Sequence, residues 1–144
     1  MKNSRLNSTN KYYDSAGNAY TEAQIRQRYN QEKYGFMPKY ICECCGESQA
    51  FDPDHTISKA RCKILHKVEL IWLESNISWS CRKCHLEWES YKDGKFSHHN
   101  NAYERMLFTF IYDREGFTKR YYCITNLGLQ ELLMNKLTSK NACY

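Results

Sequence analysis

Cys42-Glu43-Cys44-Cys45-Gly46 and Cys81-Arg82-Lys83-Cys84-His85 decide how this chain is read. Each contains a C-x-x-C spacing, Cys42/Cys45 and Cys81/Cys84, and a turn of that length puts two thiolates on one side of a tight bend. Two such knuckles can build a tetrahedral four-sulfur zinc site. Cys44 could compete with Cys42 or Cys45, but Gly46 suits the backbone turn after a second ligand at Cys45. Cys62, Cys123 and Cys143 have no paired spacing and read as structural or unligated. Eight cysteines in 144 residues would mean disulfides in a secreted chain. The opening Met-Lys-Asn-Ser-Arg-Leu has no apolar stretch behind it, so a cytoplasmic protein is expected, where cysteine pairs more often bind metal. A disulfide pair, or buried thiols acting as small apolar residues, are the alternatives.

Thirty-five residues separate Cys45 from Cys81, more than the ~12 to 20 common in compact zinc modules. Something is therefore inserted between the knuckles. Phe51-Asp52-Pro53-Asp54-His55-Thr56 comes early in the insertion, Glu74-Ser75-Asn76-Ile77 comes late, and His85 directly follows the last cysteine. Hydrolysis of a phosphodiester needs a base to activate water, a cation to neutralise charge on the phosphate, and stabilisation of the leaving oxygen. Asp54 is a hard oxygen ligand and His85 an imidazole ligand. Together they can hold one Mg(II) or Mn(II) with positions open to phosphate and water. Neighbouring side chains on a strand point to opposite faces, so His55 need not share the metal and is suited to act as general base, with an ordinary pKa of ~6.5. Asn76 can hold the His55 ring from a neighbouring segment.

Taken in order, Cys42-x-x-Cys45-Gly46, Asp54-His55, Asn76 and Cys81-x-x-Cys84-His85 resemble the HNH endonucleases of the ββα-metal type, over residues 41–90. The nine-residue step from Asn76 to His85 is typical of that family. The resemblance implies an α+β fold: a two-stranded antiparallel ribbon carrying Asp54 and His55, a loop carrying Asn76, and a helix from near Cys84 carrying His85. It implies roles as well. Asp54 and His85 bind a catalytic Mg(II) or Mn(II), His55 is the base, Asn76 orients it, and Cys42, Cys45, Cys81 and Cys84 hold a structural Zn(II). Some relatives carry a further metal-binding His four residues after the first; here that position is Glu89, which either reaches the same ion or is a solvated helix carboxylate. Many relatives have a Gly-Gly turn where this chain has Lys59-Ala60-Arg61-Cys62-Lys63. The expected activity is DNA cleavage leaving 5′-phosphate and 3′-hydroxyl ends, by a monomer that nicks or a dimer that cuts both strands. A branched-DNA nuclease and a silent zinc-stabilised DNA-binding module are the rivals. A small nuclease with DNA-binding flanks fits a phage or mobile-element enzyme, by analogy.

The flanks agree with a nucleic-acid partner. The formal charge is +5, and it is uneven: +4 over residues 1–41, −2 over 42–91 and +3 over 92–144. A chain that grips a polyanion around a metal-bearing centre has this pattern. The longest strongly apolar run, Met106 to Tyr112, is far short of the ~20 residues that span a membrane, so no membrane partner is expected. The organisation reads as a basic arm and helix (1–40), a nuclease core (41–91) and a C-terminal extension (92–144). Residues 1–18 are polar and read as a mobile arm. Thr21-x-x-Gln24 is a capping box that starts a helix with Ile25 and Tyr29 on one face; Arg26 and Arg28 would offer DNA contacts from it. Residues 106–112 and 117–124 are aromatic and β-branched, split by Asp113-Arg114-Glu115-Gly116, which predicts a hairpin presenting Arg114, Lys119 and Arg120 to DNA backbone. A helix from Asn101 to Tyr112 competes with its first strand. Residues 122–133 are similar, over a short stretch, to the wing-then-helix end of winged-helix domains. A last helix follows Asn126, with Leu129, Leu132, Leu133 and Leu137 on one stripe.

Overall fold

The computed structural model describes residues 10–139. Residues 1–9 of the expected arm, and Cys143, lie outside the described residues. The fold is α+β: short helices and two small two-stranded sheets. It divides into two compact units, Met1–Pro38 with Ile57–Ile77, and Lys39–Thr56 with Ser78–Tyr144.

The first unit opens with a hairpin. β1 (Tyr12–Tyr13) pairs antiparallel with β2 (Ala19–Tyr20). The Asp14 carboxylate ties the turn by accepting from the N–H groups of Ala16 and Asn18 and from the Tyr20 hydroxyl, and Gly17 takes the positive φ the turn requires. The arm expected over residues 1–18 is thus built structure from Tyr12 onward. α1 (Glu22–Lys33) starts at the Thr21/Gln24 capping box, with both reciprocal hydrogen bonds formed. It buries Ile25 and Tyr29. Packed on it is a 3₁₀ turn, Val68–Trp72, in which Val68, Leu70, Ile71 and Trp72 are buried. α2 (Lys59–Ile64) starts at Ser58, whose side chain accepts from the Arg61 N–H, and it buries Cys62.

The second unit contains both knuckles. β3 (Asp52–His55) forms a two-stranded sheet with β4 (Ile77–Ser80), whose last three residues belong to this unit. α3 (Arg82–Glu89) follows at once, with Cys81 at its N-cap. Then come α4 (Ala102–Tyr112), α5 (Arg114–Tyr121) and α6 (Leu127–Thr138). Their core is Trp88, Phe96, Ala102, Met106, Phe117, Leu129 and Leu133.

The predicted C-terminal hairpin is two helices, α4 and α5, so these residues form no wing. Asp113 does not sit in a β-turn: its carboxylate accepts from the Gly116 N–H and N-caps α5. Residues 102, 105, 106 and 109 are the buried face of α4, the i, i+3, i+4, i+7 spacing of a helix. Strand preference of aromatic and β-branched residues is weak and yields to such packing. α6 matches the predicted stripe at Leu129 and Leu133, which are buried, while Leu132 is exposed.

Candidate metal and catalytic site

Two groups of donor atoms surround the start of α3. In the first, the sulfurs of Cys42, Cys45, Cys81 and Cys84 all lie within 4.8 Å of one another. Tetrahedral Zn–S bonds of ~2.3 Å put sulfurs just under ~4 Å apart, so the cluster has the donor set and size to hold a metal such as zinc. Gly46 has φ +71°, and its N–H donates to the Cys42 carbonyl at 2.9 Å, closing the first knuckle. The N–H groups of Cys44 and Cys45 point at the Cys42 sulfur, at 3.3 and 3.5 Å. Burial pushes the Cys84 thiol up, and the neighbouring Cys81 and Cys42 push it further; hydrogen bonds from the Ser48 and Glu47 backbone hold Cys45 down at about 6. The Cys44 sulfur is outside the set. It is buried against the hydroxyls of Ser80 (3.3 Å) and Ser78 (3.8 Å). The described cysteines form no disulfide with one another.

The second group is built on β3 and α3. Asp54 is 1% exposed. Its Oδ2 accepts from Arg105 Nη1 (3.1 Å) and from the Ser80 hydroxyl (3.2 Å). Its Oδ1 is buried without a hydrogen bond among the described residues and faces His85 Nε2 at 3.5 Å. Two ligands at ~2.1 Å from one ion stand ~3 to 3.5 Å apart, so this pair fits a shared divalent cation. Glu89, one turn along α3, brings a carboxylate oxygen to 3.3 Å from the same Nε2. On the ring's other side, His85 Nδ1 lies 3.0 Å from Asp52 Oδ2, and Arg82 is 3.4 Å from the other Asp52 oxygen. Burial lowers the His85 pKa, but the hydrogen bond to Asp52 and the charges of Asp54 and Glu89 outweigh it and hold the ring's proton above its ordinary value. Burial raises Asp54, against the pull of Arg105. Three carboxylates, of Asp52, Asp54 and Glu89, surround this one imidazole, and such a cluster is attractive to a cation.

His55 lies on the strand next to Asp54 but is half-buried rather than buried, as alternation across a strand requires. Asn76 is fully buried, in the first unit. Its Oδ1 accepts from the Ile57 N–H (2.8 Å), and its Nδ2 donates to the carbonyls of Ile57 and Leu70 (3.0 Å each). It therefore pins the backbone two residues beyond His55.

The basic residues divide. Arg26 is exposed on α1, and Arg28 pairs with Glu32 at 2.9 Å and lies over Trp72. Arg114 and Lys119 are exposed on α5, where Arg114 Nε donates to the Phe110 carbonyl at 2.7 Å and its guanidinium lies 3.6 Å over the Phe110 ring. Arg120 instead donates to the Trp88 carbonyl at 3.1 Å and lies over the rings of Trp88 and Tyr91; burial lowers its pKa to about 10.

Two residues of this site were passed over in the sequence. Asp52 had a signal, because a spacing of two from Asp54 puts both on one strand face. Arg105 had only a faint one, as the lone charge on the apolar stripe of α4. A third, His99, has its side chain buried and 2.9 Å from Glu87, with both near the Cys84 sulfur; its sequence context, His98-His99-Asn100-Asn101, reads as a polar loop. Among the described residues, no helix is long and apolar enough to cross a membrane. No family model, no curated protein and no solved structure matches this chain.

Proposed function

We propose that this chain is a metal-dependent DNA endonuclease of the HNH, ββα-metal kind, stabilised by Zn(II) on Cys42, Cys45, Cys81 and Cys84. The observation that carries the reading is the pair formed by Asp54 Oδ1 and His85 Nε2. A buried carboxylate oxygen, with no hydrogen bond among the described residues, faces an imidazole nitrogen 3.5 Å away. The order of β3, β4 and α3, with one knuckle before β3 and the other at the start of α3, supports it, as does the family resemblance carried by residues 41–90.

Asp54 and His85, with Glu89 beside them, would hold Mg(II) or Mn(II). Bound there, the ion would supply Lewis-acid neutralisation of charge on a phosphate. His55, on the other face of β3, takes a proton from water as the water oxygen bonds to phosphorus. The bond from phosphorus to the 3′ oxygen breaks, and that oxygen gains a proton from solvent. The ends are a 5′-phosphate and a 3′-hydroxyl. Asn76 fixes the chain just past His55, which limits where the base can move. One such site cuts one strand, so a monomer nicks duplex DNA and a dimer would be needed for a double-strand break. Exposed Arg26, Arg114 and Lys119 provide the sequence-independent grip on phosphates. The test is to incubate the protein with a defined plasmid and Mg(II) or Mn(II), then sequence the ends. Metal-dependent ends bearing 5′-phosphate support the reading. Intact plasmid under every metal tried would leave the silent DNA-binding module in its place.

A further inference from the structure

The two ligand candidates are each gripped from behind by a residue that the proposed chemistry does not use. Asp52 takes His85 Nδ1 at 3.0 Å. A carboxylate oxygen accepts, so a hydrogen on Nδ1 bonds to Asp52, and Nε2 is the ring nitrogen left to face Asp54 Oδ1 at 3.5 Å. Arg105, 4% exposed, takes Asp54 Oδ2 at 3.1 Å. It is itself fixed by Thr56 Oγ1 at 2.8 Å and by the Trp88 ring 4.2 Å away. With Oδ2 held by Arg105 and Ser80, only Oδ1 is left to turn toward His85.

We infer that Asp52 and Arg105 are positioning residues that set the tautomer of His85 and the rotamer of Asp54, so that Nε2 and Oδ1 converge on one divalent cation. The inference rests on the reading of Asp54 and His85 as ligands. It goes beyond that reading by assigning the affinity of the site to two residues that touch neither metal nor DNA. The Asp52 hydrogen bond also makes the imidazole a better donor. Partners of this kind change metal affinity ~10- to 100-fold when removed.

The test is titration of the intact protein with Mn(II), read by the electron paramagnetic resonance of free Mn(II), with zinc content and thermal melting measured on every variant. Asp54→Ala should abolish binding at the Mn(II) concentration that half-saturates wild type. Asp52→Ala should weaken affinity ~10-fold or more while zinc stays at one per chain. Asp52→Asn, which can still accept from Nδ1–H, should recover part of the loss, a rescue that a merely structural role would not give. Arg105→Lys keeps the charge beside Asp54 without the planar fork and should also weaken Mn(II) binding at an unchanged zinc content. If Asp54→Ala loses Mn(II) but Asp52→Ala and Arg105→Lys stay within twofold of wild type, the ligand reading stands and the positioning inference falls. If wild type binds no Mn(II), both fall.

Discussion

The sulfur cluster and the carboxylate–imidazole pair share one short helix, yet they are built for opposite purposes. Cys81 and Cys84 stand at the start of α3 and close, with Cys42 and Cys45, a set of four soft donors. One residue further, His85 turns the other way, toward Asp54 and Glu89. The first set fills a tetrahedral coordination shell by itself, which suits a metal that holds the chain together. The second offers two carboxylates and an imidazole, and on the proposed reading the positions left over would admit phosphate and water. Adjacent residues can therefore belong to a closed site and an open one. On the proposed reading, a metal in the sulfur set would fix α3 in place, and the second set would depend on that placement.

The contrast breaks most visibly at the sulfurs. Cys81→Ser removes one of four ligands, and structural zinc contributes on the order of 10 kcal/mol to folding. We expect loss of the metal and of a cooperative melting transition. Cys44→Ser, at a buried cysteine outside the cluster, should keep one metal per chain by elemental analysis. Equal zinc loss in both variants would erase the distinction between ligand and neighbour.

Next in size is the buried ion pair. Asp54→Ala leaves the Arg105 guanidinium without its partner, and breaking a buried pair costs ~3 to 5 kcal/mol. Chemical denaturation should show that loss with zinc still bound. A variant as stable as wild type would mean that Arg105 is solvated, contrary to its burial. Smaller effects come from the cations of α5. Arg120→Ala removes a cation stacked on Trp88 and Tyr91 and should lower stability by ~1 to 2 kcal/mol. The double substitution Arg114→Ala with Lys119→Ala removes the Arg114 hydrogen bond to the Phe110 carbonyl and its contact with the Phe110 ring and should lower stability by ~1 kcal/mol. It should also flatten the fall of DNA affinity with salt, by ~1 for each phosphate that is no longer neutralised. An unchanged salt slope would take those two residues out of the DNA interface.

Local spacing made much of this architecture legible. The C-x-x-C pairs announce a cluster because the constraint lies within four residues. The capping box at Thr21 and Gln24 starts α1 for the same reason. His85 and Glu89 share a helix face by i, i+4 spacing, and the structure brings their side chains to 3.3 Å. What stayed hidden was set by packing between distant residues. Residues 106–124 have strand-like composition but fold mainly as α4 and α5, because Ala102, Arg105, Met106 and Thr109 are buried at helical spacing on α4, and Asp113 caps α5, which buries Phe117. The β1–β2 hairpin has two-residue strands, too short for any periodicity, and its turn depends on one aspartate side chain. Arg105 meets Asp54 across 51 positions of sequence, and no local pattern announces such a pair. Asp52 was legible by strand alternation and was obscured by the more conspicuous Asp54-His55 beside it.

The most direct measurement is nicking of supercoiled plasmid by wild type and by His55→Ala, with Mg(II) or Mn(II), at matched zinc content. A general base contributes ~10²- to 10⁴-fold, so wild type should convert supercoiled DNA to open circles only when the divalent ion is added, and the variant should fall to near background while still melting cooperatively. Cleavage by His55→Ala at the wild-type rate would contradict the assignment of the base and, with it, the nuclease mechanism.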